Sequence, residues 1–397
     1  RYTESLEIFN KSLDSFISLG NLEEQAFIHY QKSIYLDKLG KNQDALEEID
    51  LSLKIYIDKE NFEWQAITLR QFGYCLSNLD KYPDAIEKHK ESIKLFNEEV
   101  KTIHINELAW NYRQMGFCLE QLNRYEEALD AFDNSMKLYS EDENFNEHKG
   151  WLSRHMGRCL GNLKRYIEAL PLLESSLNYY ISMKNLDEQA FILNDIGWFL
   201  RESGFYIESI NTLKKANDIN VKRNYLNNQA HNLQQIGFCF GQLIRHEEAL
   251  EPLYKSIEIF NNVKNNKDNA LSYLTLAFSL WKLGRQDEAL KAQNKALELF
   301  IQENEVEGQI ISLGQLGVYQ GKLKQYETAI NTLNKALELS NNSGKYNFKL
   351  WLLSELFSHN LLFGKEEVAW EIIDETSFID NNYKIFNQIG KVIYHYG

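Results

Sequence analysis

One small residue returns along this chain at a nearly constant interval. Ala45, Ala85, Ala128, Ala169, Ser209, Ala249, Ala289, Ala329 and Ala369 stand 40, 43, 41, 40, 40, 40, 40 and 40 residues apart, with Ser5 one step earlier. A period in this range belongs to stacked helical hairpins, each of which buries its apolar face only against its neighbours. The 397 residues therefore form one quasi-one-dimensional array instead of the roughly two or three globular domains that such a length otherwise suggests. Only 3 prolines interrupt it, which leaves long helices available.

Charge narrows the partners. The net charge is -14, and a surface that grips phosphate backbones is basic. Much of the acid excess lies early in the second helix of a unit, as at Glu126-Glu127 and Glu247-Glu248, where carboxylates suit the positive end of the helix dipole. No apolar run reaches the ~18 residues that a membrane span requires, and no secretory leader is visible. The chain opens at Arg1, inside the second helix of a unit, and ends at Gly397 inside another pattern. We read it as a segment of a longer polypeptide.

Within each unit a glycine precedes the alanine by twelve residues: Gly73, Gly116, Gly157 and Gly237. Apolar residues such as Leu69, Phe72, Leu76 and Leu79 recur around it at helical spacing, and the glycine lets a second helix approach closely. The four cysteines, Cys75, Cys118, Cys159 and Cys239, each follow such a glycine by two residues. Equivalent positions on successive hairpins do not converge on a disulfide or a zinc ion, so they read as reduced packing residues of a cytoplasmic protein. A basic residue stands four before the alanine, as at Lys41, Lys81, Arg124, Arg165, Arg245, Arg285 and Lys365. There it is expected to end the first helix and favour that helix's C-terminus. The second helix begins near an aromatic slot, Tyr82, Tyr125, Tyr166, Tyr206 and Tyr326, with Pro83 in its first turn. Asn21 followed by Glu24, and Asn185 followed by Glu188, read as capped starts of first helices.

The glycine-to-alanine spacing with an aromatic in the turn resembles the tetratricopeptide repeat, over essentially the whole chain and with units of 40 residues instead of that family's 34. The resemblance implies an all-α, right-handed superhelical solenoid of tandem hairpins. We expect a repeat array over 1–340, and a divergent repeat, cap or transition to a further domain over 341–397. Departures occur at Ala277 and Phe357 in the glycine slot and at Ser209 in the alanine slot.

The resemblance also implies that first helices line a concave groove where ligands lie. One residue after the glycine stand Tyr74, Phe117, Arg158, Trp198 and Phe238; three before it, Arg70, Arg113, Arg154, Asn194 and Gln234; six before it, Trp110 and Trp151. Aromatic and arginine side chains are the types enriched at protein-binding hot spots, and Asn and Gln bond the backbone of an extended peptide. The same arginines also have an internal reading, pairing with Glu120, Asp195 or Glu202 to hold the superhelix.

No motif for catalysis, phosphate binding or metal ligation stands out, and neither cofactor nor metal is expected. The function expected is binding of a protein or peptide, acidic or intramolecular, in the groove. Two alternatives stay open. One is the sensor or regulatory arm of a larger protease, nucleotide-binding switch or kinase. The other is a regulator like the peptide-pheromone receptors. Single-stranded nucleic acid, which arginines interleaved with aromatics can bind, is disfavoured by the charge.

Overall fold

The computed structural model describes residues 2–100, 104–139 and 146–376. These are built of α-helices, with one short 3₁₀ turn at Tyr346–Phe348 and no strand among the described residues. The chain divides into two compact units between Phe199 and Leu200. The first holds α1 (Tyr2–Ser18), α2 (Leu22–Lys38), α3 (Asn42–Asp58), α4 (Phe62–Ser77), α5 (Tyr82–Glu98), α6 (Ile105–Gln121), α7 (Tyr125–Tyr139), α8 (Asn146–Asn162), α9 (Tyr166–Ser182) and most of α10 (Leu186–Glu202). The second holds the end of α10, α11 (Tyr206–Arg223), α12 (Leu226–Gln242), α13 (His246–Val263), α14 (Asn266–Lys282), α15 (Gln286–Gln302), α16 (Val306–Lys322), α17 (Tyr326–Asn342), α18 (Lys349–Leu362) and α19 (Glu366–Thr376).

From α2 to α8 and from α12 to α16, each even-numbered helix packs most extensively on the odd-numbered helix that follows it, and more lightly on the next even-numbered one. The repeat glycine sets the first of these contacts. A Cβ on Gly73, Gly116, Gly157, Gly237 or Gly317 would come within 2.5–2.8 Å of His89, Phe132, Leu173, Leu253 or Leu333 respectively, always sixteen residues on. The recurring alanine beside it is fully buried in every described unit from Ala45 to Ala369 that carries one.

Two hydrogen-bonded links, not picked out in the sequence, repeat with the same register. The buried hydroxyls of Ser52, Ser92, Ser135, Ser176 and Ser256 donate to the carbonyls of Ala26, Ala66, Ala109, Gly150 and Ala230. The amides of Gln25, Gln65, Gln189, Gln229 and Gln309 donate to a carbonyl nine residues earlier, at the end of the preceding helix.

Turns recur about every twenty residues, and each one that lies wholly within the described residues contains one left-handed residue. Six are glycines (Gly20, Gly40, Gly204, Gly284, Gly344 and Gly364); the rest include Asp80, Asn123, Asn224, Asn304 and Ile244. The next N–H then bonds the carbonyl five residues back, as in Lys41 to Leu36, Lys81 to Leu76 and Arg245 to Phe240, which closes the helix end. This corrects the reading of the basic slot. Lys41, Lys81, Arg165, Arg245 and Arg285 are the residues just before the second helix. Arg124, Arg165, Arg245 and Arg285 turn their guanidinium groups forward to Glu127, Glu168, Glu248 and Glu288. The side chains of Asn21 and Asn185 accept from the N–H of Glu24 and Glu188, as their spacing predicts.

His89 departs from the apolar character of its slot. It is fully buried; its Nδ1–H donates to Asn111 Oδ1 at 2.8 Å, and Asn111 Nδ2 donates to Ser92 Oγ at 2.7 Å. Burial pushes the imidazole pKa down to about 4, so the folded chain holds it neutral. The unfolded chain binds the proton at a higher pH, so this stability is present above about pH 6.5 and declines as pH falls toward 4. His89→Leu alone should cost about 1–3 kcal/mol, because Asn111 loses its partner, and adding Asn111→Leu should restore most of it. Urea midpoints of the two variants, and the flattening of their pH dependence, check this. Ile244, with φ of 61°, is β-branched in a region that disfavours it, and Ile244→Gly should stabilise the fold by about 1 kcal/mol, read as a rise in the same midpoint.

Candidate functional site

On the even-numbered helices of the first unit, the residues singled out in the sequence meet across successive hairpins. Arg70 lies 4.6 Å over the Trp110 ring; its NH1 is 2.7 Å from Glu107 Oε2 and its NH2 donates to the Tyr30 hydroxyl. Tyr74 packs on the same indole, ring centres 5.5 Å apart. One hairpin on, Arg113 lies 4.2 Å over Trp151 and bonds His148 Nδ1 at 3.0 Å, while Phe117 packs 6.4 Å from that ring. Arg154 then reaches Glu188 at 2.5 Å and lies 5.3 Å from the Phe191 ring.

The ladder is therefore real and internally committed. Each arginine three before a glycine is held by the residues six and nine before the next glycine. Cation–π and ion-pair contacts of this kind stabilise the step between hairpins. Of the acidic partners considered from sequence, Glu120 is met by Arg158, at 3.5 Å; Glu107 and Glu188 were not recognised, because their slot shows a carboxylate in only some units. Arg113 differs from its neighbours in meeting no carboxylate directly among the described residues.

Between these rungs sits a buried cluster of charge. Glu120, with 3% of its side chain exposed, accepts from His155 Nδ1 at 2.5 Å, and His155 stacks 3.7 Å from Trp151. Burial pulls the His155 pKa down, which favours a neutral ring donating to a carboxylate. Asp195 is shielded nearby, its Oδ2 lacking a hydrogen-bond partner, as does Asn194 Oδ1. Desolvation raises the Asp195 pKa to about 6 against the pull of Arg158 and Arg154. Trp198 is half-buried and packs beside Phe199.

In the second unit Gln234 and Phe238 line a cleft of about 420 Å³ on α12 and α14. The Phe238 ring lies 5.2 Å from the Arg201 guanidinium, which bonds Gln235 and Glu202; Gln235 donates to Gln234 Oε1 at 3.2 Å. Leu271, Leu274 and Phe278 form its apolar wall, with Gln242 and Thr275 at the edge. Sequence reasoning singled out Gln234 and Phe238 but missed Arg201, four past Gly197 and outside the three slots it followed, and Leu274 and Leu271, which stand three and six before Ala277, where alanine replaces the marker glycine.

The cysteines occupy neither face. All four are free and buried, and burial pushes the thiols of Cys75, Cys118 and Cys159 up to about 12. Among the described residues no three His, Cys, Asp or Glu side chains gather to hold a metal, and no helix is long and apolar enough to cross a membrane.

Asp195 yields a pH test with the opposite sign to His89. Its pKa is higher folded than unfolded, so protonation favours the fold as pH falls from about 6 toward 4. Asp195→Asn should raise the urea midpoint at pH 7.5, and the gain should shrink toward pH 5. A gain that is the same at both values would show that Asp195 is ionised in the folded chain throughout.

Comparison with known proteins follows the same lines as the geometry. The tetratricopeptide repeat model matches residues 107–182 and 268–342. No curated protein sequence matches the chain. Among solved structures it is similar to the apo form of RapI, with a TM-score of 0.51 and 14% identity over 71% of this chain and 99% of that one. It is similar to aspartyl phosphate phosphatase F from Bacillus subtilis, with a TM-score of 0.52 and 15% identity over 84% of this chain and 94% of that one. It is also similar to a signal transduction ATPase with numerous domains that carries a tetratricopeptide repeat sensor, from Pyrococcus horikoshii, with a TM-score of 0.63 and 12% identity. That likeness covers 93% of this chain and 55% of the ATPase. Identities this low speak for the fold alone. The two matched segments and the hairpins around them share one set of glycine, alanine and turn positions, so the chain is an all-α array of helical hairpins that matches the tetratricopeptide repeat over 107–182 and 268–342.

Proposed function

We propose that the even-helix face binds an extended segment of protein. The observation that carries this reading is the cleft of the second unit, where amide side chains stand beside an exposed apolar wall. Gln234, Gln235 and Gln242 offer both donors and acceptors, the pairing that an extended backbone needs, while Phe238, Phe278 and Leu271 offer rings and branched carbon to its side chains. Phe278 and Leu271 are 37% and 39% exposed, a degree that suits surface meant to be covered.

On the first unit the same role falls to Tyr74, Phe117 and Trp198 for apolar contact and to Arg113 and Arg158 for carboxylates of the bound segment. Arg70 and Arg154 are already neutralised by Glu107 and Glu188, so an acidic segment would find its charge at Arg113, which meets no carboxylate directly among the described residues, and at Arg158, whose contact with Glu120 is longer at 3.5 Å. The role proposed is binding, with no reaction carried out by these residues.

A second reading is favoured by the likeness to the ATPase, whose repeats are named as its sensor. On that reading the bound segment is a trigger, or part of the same polypeptide, and the array regulates an attached activity.

A random twelve-residue peptide display library panned on the chain tests the first reading. Enriched peptides should bind the wild type and lose at least tenfold in affinity to a Gln234→Ala, Phe238→Ala double variant of unchanged helicity. Enrichment of nothing, or binding indifferent to both substitutions, would sink it for the second unit. Arg113→Ala and Arg158→Ala apply the same test to acidic peptides on the first.

A further inference from the structure

The residue four past the repeat glycine faces the next even-numbered helix. In the second unit it is Arg201, Gly241, Trp281 and Gly321 in successive hairpins. Arg201 reaches over the Phe238 ring at 5.2 Å, and Trp281 stacks on Tyr319 with ring centres 4.2 Å apart. At Gly321 packing demands a glycine, since a Cβ there would collide with the ring of His359. Gly237 is likewise required, by Leu253 at 2.5 Å.

Gly241 is required by nothing of this kind. It lies inside α12 with no positive φ, and the nearest atom to a Cβ built on it is Ser279 Oγ at 3.8 Å, an ordinary contact. That hydroxyl is itself buried without a hydrogen-bond partner. A glycine inside a helix is destabilising relative to alanine, and here no close helix contact offsets the loss. What the missing side chain leaves is room: Gly241 lines the cleft, between Phe238 on its own helix and the exposed ring of Phe278 on the next.

We propose that Gly241 is the floor of a side-chain pocket that receives an aromatic residue of the bound segment. The ligand's ring takes the place that Arg201 and Trp281 fill in the flanking hairpins and completes the interrupted stack over Phe278. Charge excludes a cation in that role. Arg201 on one side is paired with Glu202, but the Lys282 ammonium sits 5.4 Å over the Phe278 ring, so an arginine or lysine from the ligand would meet a like charge on the ring it has to cover. The inference rests on the binding role proposed above and adds the class of side chain recognised.

Disulfide capture tests it without a known partner. Thr275 lines the cleft, and the native cysteines are buried, so in a Thr275→Cys chain the new thiol is the reactive one. Three cystamine-linked amides of equal length, ending in phenyl, isobutyl or guanidinopropyl groups, compete for it under graded reductant, with yields read by intact mass. The phenyl amide should be captured at least tenfold over the guanidinopropyl one. Adding Gly241→Ala should erase most of that preference and Gly241→Trp all of it. The thermal midpoint should rise with Gly241→Ala and fall with Gly237→Ala, which separates loss of the pocket from loss of the fold.

Equal capture of the three amides, a preference unmoved by Gly241→Trp, or a thiol that no small disulfide can reach would each overturn the pocket. If that happens while display-selected peptides still depend on Gln234 and Phe238, only the aromatic pocket fails. If the peptides fail as well, the binding role of this cleft fails with it.

Discussion

The contact between the repeat glycine and the side chain sixteen residues later is the constraint on which the other features rest. Because Gly73, Gly116, Gly157, Gly237 and Gly317 leave no room for a Cβ, the two helices of a hairpin touch nearly backbone to side chain. That closeness brings the buried serines within reach of carbonyls on the facing helix. It also sets where the next hairpin starts, and so which side chains face one another across the step. A larger residue in the slot would move everything beyond it, since a solenoid has no distant contacts to compensate. At Ala277 the facing position holds Gln293, fully buried, whose amide donates to the carbonyl of Ser312; the slot and its partner have changed together.

Stacking between hairpins is managed differently in the two units. In the first, an arginine lies over a ring of the next hairpin at three successive steps and a carboxylate completes two of them, so much of the positive charge on the even-helix face is spent on internal order. Two of the three arginines there are neutralised where they stand, consistent with a chain of net charge -14 presenting little free positive charge. In the second, the corresponding slots hold Gln234 and the aromatics Phe238 and Phe278. There the stack is interrupted at Gly241, and a cleft opens where the first unit has a filled step.

Buried polar groups follow the same local logic. His89 sits where neighbouring hairpins carry Ile49, Phe132, Leu173 or Leu253, whereas Ser92 recurs as a serine in several hairpins and His155 stands in a slot that is polar at Gln71, Gln114, Asp195 and Gln235 as well. Such groups are costly to desolvate and seldom more stable than an apolar replacement. They are tolerated because each is answered by a partner one helix away, and each imidazole is held neutral by its burial. Asp195 is answered less completely, which is why its acidity is so far reduced.

The periodicity of alanine, glycine and turn residues was legible in the sequence alone, because each encodes a local demand repeated every 40 residues. Helices, their order and the slots facing the next hairpin follow from it. So did the meeting of Arg70 with Trp110 and of Arg113 with Trp151, in the sense that aligned slots must adjoin. Which carboxylate each arginine takes was decided only by tertiary structure, since Glu107 and Glu188 become neighbours through the rise between hairpins, a distance that no spacing states. The cleft was hidden for a related reason. Gly237 and Gly241 are the same letter on the same helix, and only the atoms packed around them show that one is filled by Leu253 while the other has nothing nearer than Ser279 Oγ at 3.8 Å.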